Sequence, residues 1–266
     1  MKILSQGILS KGILGAAALA LSLFGMLHAE KLKVGATPVP QAEILRFIAP
    51  DLAEAGIELE VVEFTDYVLP NIALSEKSLD ANYMQHKPYM DKMNEDRKLN
   101  LVGVGQVHIE PIGGYSKRIK DIKELKEGAT ILIPNDPTNG GRALILLHNS
   151  GLIKLKDPSN LSAKETDIIE NPKNLKIKAL EAALLPKTMQ DADLAIINGN
   201  YAIQAKLTAQ DALILEDSRS PYANIIAVRA GDENKESIQA LKKAMQSQKV
   251  KDFIEKTYKG QIVPAF

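Results

Sequence analysis

The chain has 266 residues, of which 33 are basic and 33 acidic, and it contains neither cysteine nor tryptophan. This balance of charge argues against nucleic acid or an anionic membrane surface as the main partner. The lack of cysteine excludes thiolate catalysis, cysteine-ligated zinc and iron–sulfur clusters.

The first 29 residues have the pattern of a secretory signal peptide. Lys2 and Lys11 accompany an apolar run from Ile13 to Leu27, and a small residue follows at Ala29. The run has 15 residues, whereas a membrane-spanning helix needs roughly 20. We therefore expect export with cleavage after Ala29, the alternative being an uncleaved membrane anchor. Removal of the two lysines leaves 31 basic side chains against 33 acidic ones.

Beyond residue 29, segments with strand-like and helix-like patterns alternate. Strands are predicted at 31–38, 57–64, 80–85, 99–116, 129–134, 175–181, 192–199 and 223–230. Helices are predicted at 41–56, at 66–79, from Lys87 onward, and at 142–151, 186–193 and 236–258. This alternation predicts an α/β chain with largely parallel sheets covered on both faces, folded as one large domain or two small lobes.

Binding sites in such folds form at the carboxyl ends of strands, in the loops that lead to the next helix. Four loops occupy such positions. They are KVGATP (33–38), NYMQHKP (82–88), NDPTNGGR (135–142) and INGNYA (197–202).

The loop NDPTNGGR combines two glycines with a cation. We place Arg142 in the first turn of the following helix, where its guanidinium and exposed backbone N–H groups would together receive a carboxylate or phosphate. Asn139 of the same loop is a further candidate for ligand binding. The alternative is a solvated surface arginine. A nucleotide-binding P-loop is excluded, because the GxxxxGK[ST] spacing is missing.

Two asparagines stand at or beside strand ends, Asn198 in INGNYA and Asn224 in SPYANII. A side-chain amide both donates and accepts hydrogen bonds, which suits a ligand that carries an ammonium and a carboxylate. The alternative for Asn198 is turn formation, because Asn-Gly is itself a turn dipeptide. Two such amides and Arg142, on three separate loops, favour a binding site.

The segment DANYMQHKPYMD (80–91) brings Tyr83, His86 and Tyr89 together in a chain with only seven tyrosines and four histidines. Such side chains have flat apolar faces and polar tips, so they suit a pocket wall for an apolar or thioether group. No HExxH or GxSxG motif accompanies His86, which argues against a metal site or an enzyme. A structural role is the alternative for His86. Tyr67 in DYVLPN either forms another wall or belongs to the core.

Eight segments together resemble the NlpA family of ABC-transporter substrate-binding proteins, over residues 31 to 266. They are DYVLPN (66–71), DANYMQHKPYMD (80–91), IGGYSKRIK (112–120), IPNDPTNGGRALILL (133–147), GLIKLKD (151–157), ENPKNLKI (170–177), INGNYA (197–202) and SPYANII (220–226).

The resemblance implies a two-lobed, type II-like periplasmic-binding-protein fold with the ligand cleft between the lobes. The first lobe would comprise residues 30–115 and 222–266, and the second lobe residues 116–221. The implied protein is a non-catalytic monomer without cofactor or metal. It would bind L-methionine and deliver it to the permease of an ABC transporter.

The resemblance also assigns roles within the site. Arg142 would hold the ligand carboxylate bidentately, and Asn198 and Asn224 would share its ammonium and carboxylate. The positions that line the ligand site in the family correspond to Tyr67, Tyr83, His86, Arg142, Asn198 and Asn224.

The sequence departs from the family pattern at two places. Family members commonly carry a lipid on a cysteine directly after the signal peptide, where this chain has Glu30. We therefore expect a free periplasmic protein without a lipid anchor. Tyr83 and Met84 replace residues such as Phe-Gln, and a hydroxyl in the wall would favour a methionine-containing dipeptide or another amino acid. A surface-exposed adhesive or antigenic protein is a further alternative.

Overall fold

The computed structural model describes residues 29–217 and 220–266. Apart from Ala29, the predicted signal peptide lies outside the described residues. Within those two ranges, none of the helices is long and apolar enough to cross a membrane.

Strands and helices alternate along the chain, as predicted. The strands are β1 (Glu30–Ala36), β2 (Ile57–Glu63), β3 (Ala81–His86), β4 (Leu101–Ile109), β5 (Gly113–Tyr115), β6 (Thr130–Pro134), β7 (Lys154–Leu155), β8 (Ile168–Glu170), β9 (Lys176–Leu180), β10 (Leu194–Ile197), β11 (Ile214–Leu215), β12 (Ala223–Arg229) and β13 (Val263–Pro264). The α-helices are α1 (Glu43–Glu54), α2 (Leu69–Ser75), α3 (Lys87–Arg97), α4 (Pro137–Asn149), α5 (Leu185–Thr188), α6 (Gly199–Gln204), α7 (Glu236–Met245) and α8 (Gln248–Tyr258).

Two sheets form the centres of two lobes. The first lobe is built on a sheet of order β13-β4-β12-β3-β1-β2, and the second lobe on a sheet of order β11-β5-β10-β6-β9. The chain leaves the first sheet after Ile109, enters the second at Gly113, and returns between Leu215 and Ala223. The lobe limits at residues 115 and 221 stay predictions, and β5, which ends at Tyr115, belongs to the second sheet.

Both sheets are mixed, which corrects the prediction of largely parallel sheets. β1 is parallel to β2 and β3, and β6 is parallel to β9 and β10. In contrast, β12 is antiparallel to β3 and β4, and β5 is antiparallel to β10 and β11. The sheets are mixed because the chain passes from the first lobe to the second and later returns. Since β4 carries the chain out of the first sheet and β12 brings it back, these two neighbours run in opposite directions.

Helix α1 packs on the first sheet with the face that the sequence predicts. Ile44, Leu45, Ile48 and Leu52 are all buried there, in one core with side chains of α7 and α8. Burying each such side chain contributes about 1.5–3 kcal/mol relative to leaving it exposed. This core holds the first sheet as a rigid support for the loops at its carboxyl edge.

Strand β3 contains a one-residue bulge next to the second lobe. Ile225 of β12 pairs with Gln85 and Ile226 pairs with Tyr83, so Met84 is the extra residue. A bulge interrupts the regular alternation of side chains along a strand. Tyr83 packs into the core of the first lobe, while the last three residues of the strand line the space between the lobes.

Helix α4 begins at Pro137, five residues before the predicted start at 142. The Asp136 side chain caps it by accepting a hydrogen bond from Asn139 N at 2.9 Å, and proline is favoured at the first helical position. The glycines lie within the helix because it packs closely against a neighbouring loop at these positions. A Cβ atom on Gly141 would lie 2.5 Å from a backbone oxygen of a facing loop. Arg142 therefore lies in the second turn of the helix, which corrects its predicted place in the first.

Candidate functional site

A cavity lies between the two lobes, where β3, the crossing after β4 and the beginnings of α4 and α6 meet. In this arrangement of the lobes its volume is about 20 Å³, which is room for roughly one water molecule. Its lining consists of Tyr67, Met84, Gln85, His86, Tyr89, Glu110, Asn139, Arg142, Asn198, Gly199, Asn200 and Asn224.

Seven of the eight predicted site residues are in this lining, and their contact with a ligand stays a prediction. Tyr83 is the exception. Five lining residues were not predicted: Met84, Gln85, Glu110, Gly199 and Asn200. Asn200 stands only two residues after Asn198 in INGNYA, so its proximity in sequence was an available signal. Glu110 follows an apolar strand, where a lone acid is a signal of function.

The structure places Tyr83 away from the cavity. Its side chain is fully buried in the core of the first lobe, and its hydroxyl contacts Nδ1 of His108. Burial raises the pKa of Tyr83 well above its ordinary value. The difference from the prediction arises from position along the strand: His86 ends β3 at the cavity, whereas Tyr83 lies three residues earlier, inside the first sheet.

Arg142 is buried, with 4% of its surface exposed, and it is held by a carboxylate. Its Nε donates to Glu216 Oε1 at 2.8 Å, and its Nη2 donates to Glu216 Oε2 and, at 2.7 Å, to Glu110 O. Burial disfavours the charged form, but the Glu216 carboxylate outweighs this effect and raises the pKa of Arg142. The ring of Tyr222 lies 4.3 Å from the guanidinium carbon. These contacts engage Nε and Nη2, whereas no hydrogen bond joins Nη1 to another of the described residues.

His86 is held as a neutral imidazole. Its Nδ1 accepts a hydrogen bond from Tyr89 N at 3.2 Å, so Nε2 carries the proton and donates to Asn139 Oδ1 at 3.2 Å. Burial, and then the nearby charge of Arg142, lower the pKa of His86 to about 3. In the part of the chain that the structure describes, no cluster of acidic and histidine side chains could hold a metal ion.

Two side-chain amides in the lining each have one atom without a hydrogen-bond partner among the described residues, an acceptor in Asn198 and a donor in Asn200. Asn198 Nδ2 donates to Asn139 Oδ1 at 2.9 Å, whereas Asn198 Oδ1 is buried and meets no partner among the described residues. Asn200 Oδ1 accepts from the Tyr67 hydroxyl at 2.6 Å, whereas Asn200 Nδ2 is buried and unpartnered within the same ranges. Buried polar atoms in proteins are nearly always paired. The two atoms therefore fit a ligand that has both a donor and an acceptor.

Glu110 places a buried carboxylate at the same cavity. Its Oε1 contacts His108 Nε2 at 2.6 Å and accepts from Gln41 Nε2, and its Oε2 accepts from Asn200 N at 2.9 Å. Gln41 also donates to Asn224 Oδ1 at 3.1 Å. Glu110 thus connects the first lobe, the crossing and the start of α6.

Aromatic rings form the remaining wall. Tyr67 meets the edge of Tyr89 with ring centroids 5.9 Å apart and tilts against Tyr201 at 5.1 Å. His86 meets Tyr222 edge-on at 4.9 Å. Offset and edge-on rings are favourable arrangements, and they present apolar faces to an aliphatic or thioether group.

Hydrogen bonds join the lobes directly beside the cavity. They run from Tyr67 Oη to Asn200 Oδ1 (2.6 Å), from His86 Nε2 to Asn139 Oδ1 (3.2 Å) and from Tyr201 Oη to Thr65 O (2.9 Å). The same side chains that line the cavity therefore hold the lobes together.

The two lobes and the cavity between them define the periplasmic-binding-protein fold in its type II-like form, which confirms the predicted fold class. The family described as NlpA lipoprotein matches residues 32–266. The chain therefore belongs to the NlpA lipoprotein family.

Relatives and solved structures resemble the chain over most of its length. The probable D-methionine-binding lipoprotein MetQ of Pasteurella multocida is 47% identical over 237 residues, 88% of this chain and 86% of that protein. The D-methionine-binding lipoprotein MetQ of Escherichia coli is 47% identical over 225 residues, 84% of this chain and 82% of that protein. A nutrient-binding protein from Burkholderia cenocepacia, solved with methionine bound, is 45% identical with a TM-score of 0.85, and the match covers 88% of this chain and 100% of that one.

Proposed function

We propose that this protein is the substrate-binding protein of an ABC importer and that it binds methionine between its lobes. The observation that carries the proposal is the pair of unpartnered amide atoms of Asn198 and Asn200 beside an aromatic wall. One end of the cavity thus suits the zwitterionic head of an amino acid, and the other suits its thioether side chain. The names of relatives with 47% identity support methionine as the ligand.

In the proposed complex, Arg142 Nη1 donates to the ligand carboxylate, while Glu216 keeps the guanidinium in place. Asn198 Oδ1 accepts from the ligand ammonium, and Asn224 contributes the further amide. The ligand side chain lies against Tyr67 and Tyr89. Closure of the lobes around the ligand gives the permease a shape to recognise.

The proposal includes a location and a role. The protein acts in the periplasm as a non-catalytic monomer, and it carries no thioether-linked lipid because the sequence contains no cysteine. The chain crosses from the first lobe to the second near residue 115 and returns near residue 221. We expect osmotic shock to release the protein from cells, and mass spectrometry of the intact protein to show no added lipid. These two measurements test the location and the absence of an anchor.

Methionine is expected to raise the melting temperature of the refolded protein. A ligand at 1,000 times its Kd stabilises the folded state by about 4 kcal/mol, which corresponds to roughly 10 °C for a chain of this size. The measurement compares each common amino acid, both enantiomers of methionine and Gly-Met after ligand removal by unfolding. The family resemblance implies the L enantiomer, whereas the relatives are named as D-methionine-binding lipoproteins.

The outcomes of that titration separate the alternatives. A shift with Gly-Met alone would keep the receptor and change its ligand. If a folded sample responds to no amino acid or dipeptide, the proposed function is wrong, and binding to host cells then tests the adhesive alternative.

Two tyrosine variants are expected to behave differently. Tyr83→Phe removes the partner of His108, so we expect the free energy of unfolding to fall by about 1–3 kcal/mol while methionine affinity is unchanged. Tyr67→Phe removes the donor to Asn200, so affinity should fall about tenfold. Calorimetric titration and urea unfolding of both variants provide the comparison. Loss of affinity in Tyr83→Phe at unchanged stability would return Tyr83 to the ligand wall.

A further inference from the structure

The charges at the cavity do not balance. Arg142 is the cation of the lining, and its Nε and Nη2 are both engaged by the carboxylate of Glu216. Opposite charges in direct contact largely offset each other. The charge of Glu110 also acts on Arg142, but one cation is shared between two carboxylates, so Arg142, Glu216 and Glu110 together carry one net negative charge.

His108 does not supply that cation. Among the described residues, the Tyr83 hydroxyl has one hydrogen-bond partner, Nδ1 of His108. A buried hydroxyl donates its proton where it can, so Tyr83 donates to Nδ1, and Nε2–H of the ring donates to Glu110 at 2.6 Å. One accepting and one donating nitrogen are the pattern of a neutral imidazole. The charge of Glu110 therefore stays on the cavity.

The position of Glu110 directs this charge at a ligand. Its side chain is 7% exposed, and it is fixed at both oxygens by neighbours from both lobes, including Asn200 N at 2.9 Å. The unpartnered Oδ1 of Asn198 lines the same cavity and is also an acceptor. A buried carboxylate without a cation of its own is unfavourable, and a cationic ligand group relieves this cost.

We propose that Glu110 is a specificity-determining residue that contacts the ligand ammonium and selects ligands with a free primary ammonium group. This inference rests on the proposed function and adds to it. In the proposed division of labour, Glu110 and Asn198 recognise the ammonium, and Arg142 recognises the carboxylate.

The test compares methionine with 4-(methylthio)butanoate, which lacks the ammonium, by calorimetric titration. The parent protein should prefer methionine about 100-fold, and Glu110→Gln should reduce this preference to less than about tenfold. Glu110→Asp keeps the charge and should restore most of the preference. The matched control is Glu76→Gln on an exposed residue, which should leave both affinities unchanged.

A purely structural role for Glu110 gives a different result. It predicts that Glu110→Gln weakens both ligands by the same factor, and an unchanged ratio would overturn the inference. The parent protein gives a second readout, which does not depend on a variant that folds. It should bind 3-(methylthio)propylamine, which keeps the ammonium and lacks the carboxylate, more tightly than methyl butyl sulfide, in which a methyl group replaces the ammonium. Equal affinities for these two compounds would also overturn the inference. A parent protein that binds none of these compounds, methionine included, contradicts the proposed function instead.

Discussion

Replacement of Arg142 with alanine is expected to lower the free energy of unfolding by about 3–5 kcal/mol, because it leaves a buried carboxylate without its cation. The carboxylate is that of Glu216, which accepts from Nε at 2.8 Å and from Nη2. The substitution also removes the donor to Glu110 O at 2.7 Å, in the crossing between the lobes. Urea unfolding of the two proteins measures the difference. Equal stability would mean that the pair contributes nothing.

A double variant separates this structural effect from binding. Arg142→Met with Glu216→Leu replaces the ion pair by apolar side chains of similar size, a change that is often neutral or stabilising. We expect the double variant to recover most of the stability of the parent protein but to bind methionine at least about 100-fold more weakly. If it binds methionine as the parent does, Arg142 only supports the fold, and the assignment of Arg142 to the ligand carboxylate fails.

The second large effect is a dependence of stability on pH through His86. Burial and the charge of Arg142 lower its pKa from 6.5 to about 3 in the folded protein. Between these values the unfolded chain binds one more proton than the folded one. The stabilisation is complete above pH 6.5 and is lost as the pH falls.

The measurement compares the parent protein with His86→Gln at several pH values. Between pH 6 and 4 the parent protein should lose about 1.4 kcal/mol of unfolding free energy per pH unit relative to the variant. The altered hydrogen bonds of the variant lower its unfolding free energy by the same amount at every pH. Parallel pH profiles for the two proteins would show that His86 titrates normally in the folded state.

Local patterns in the sequence predicted many elements well. The strand before Lys87 and the helix that begins there were predicted because Pro88 marks a helix start and tyrosine suits a strand. The start of α4 was missed although Asp136 and Pro137 signal it, because Gly140 and Gly141 suggested a loop. Glycine is required at these two positions by tertiary packing, because both residues lie against backbone that is distant in sequence or outside the helix.

The arrangement of the site depends on contacts that local patterns do not contain. Arg142 and Glu216 are 74 residues apart in sequence, so their pairing depends on the return of the chain to the first lobe. Tyr83 is kept from the cavity by its place inside the first sheet, where it pairs with Ala36 of β1 and Ile226 of β12. The resemblance to a family predicted the fold and most of the lining, but it did not indicate Glu110 or Asn200. Their positions depend on hydrogen bonds between the lobes and the crossing.

The hydrogen bonds that join the lobes have a consequence for the timing of release. Tyr67 orients Asn200 and His86 contacts Asn139, and each of these pairs has one member in either lobe. If the lobes separate in the proposed transport cycle, these hydrogen bonds break, so the amides would regain rotational freedom and water would reach the carboxylate of Glu110. Separation of the lobes alone would then abolish ligand recognition, and restoring it would require both lobes to meet again.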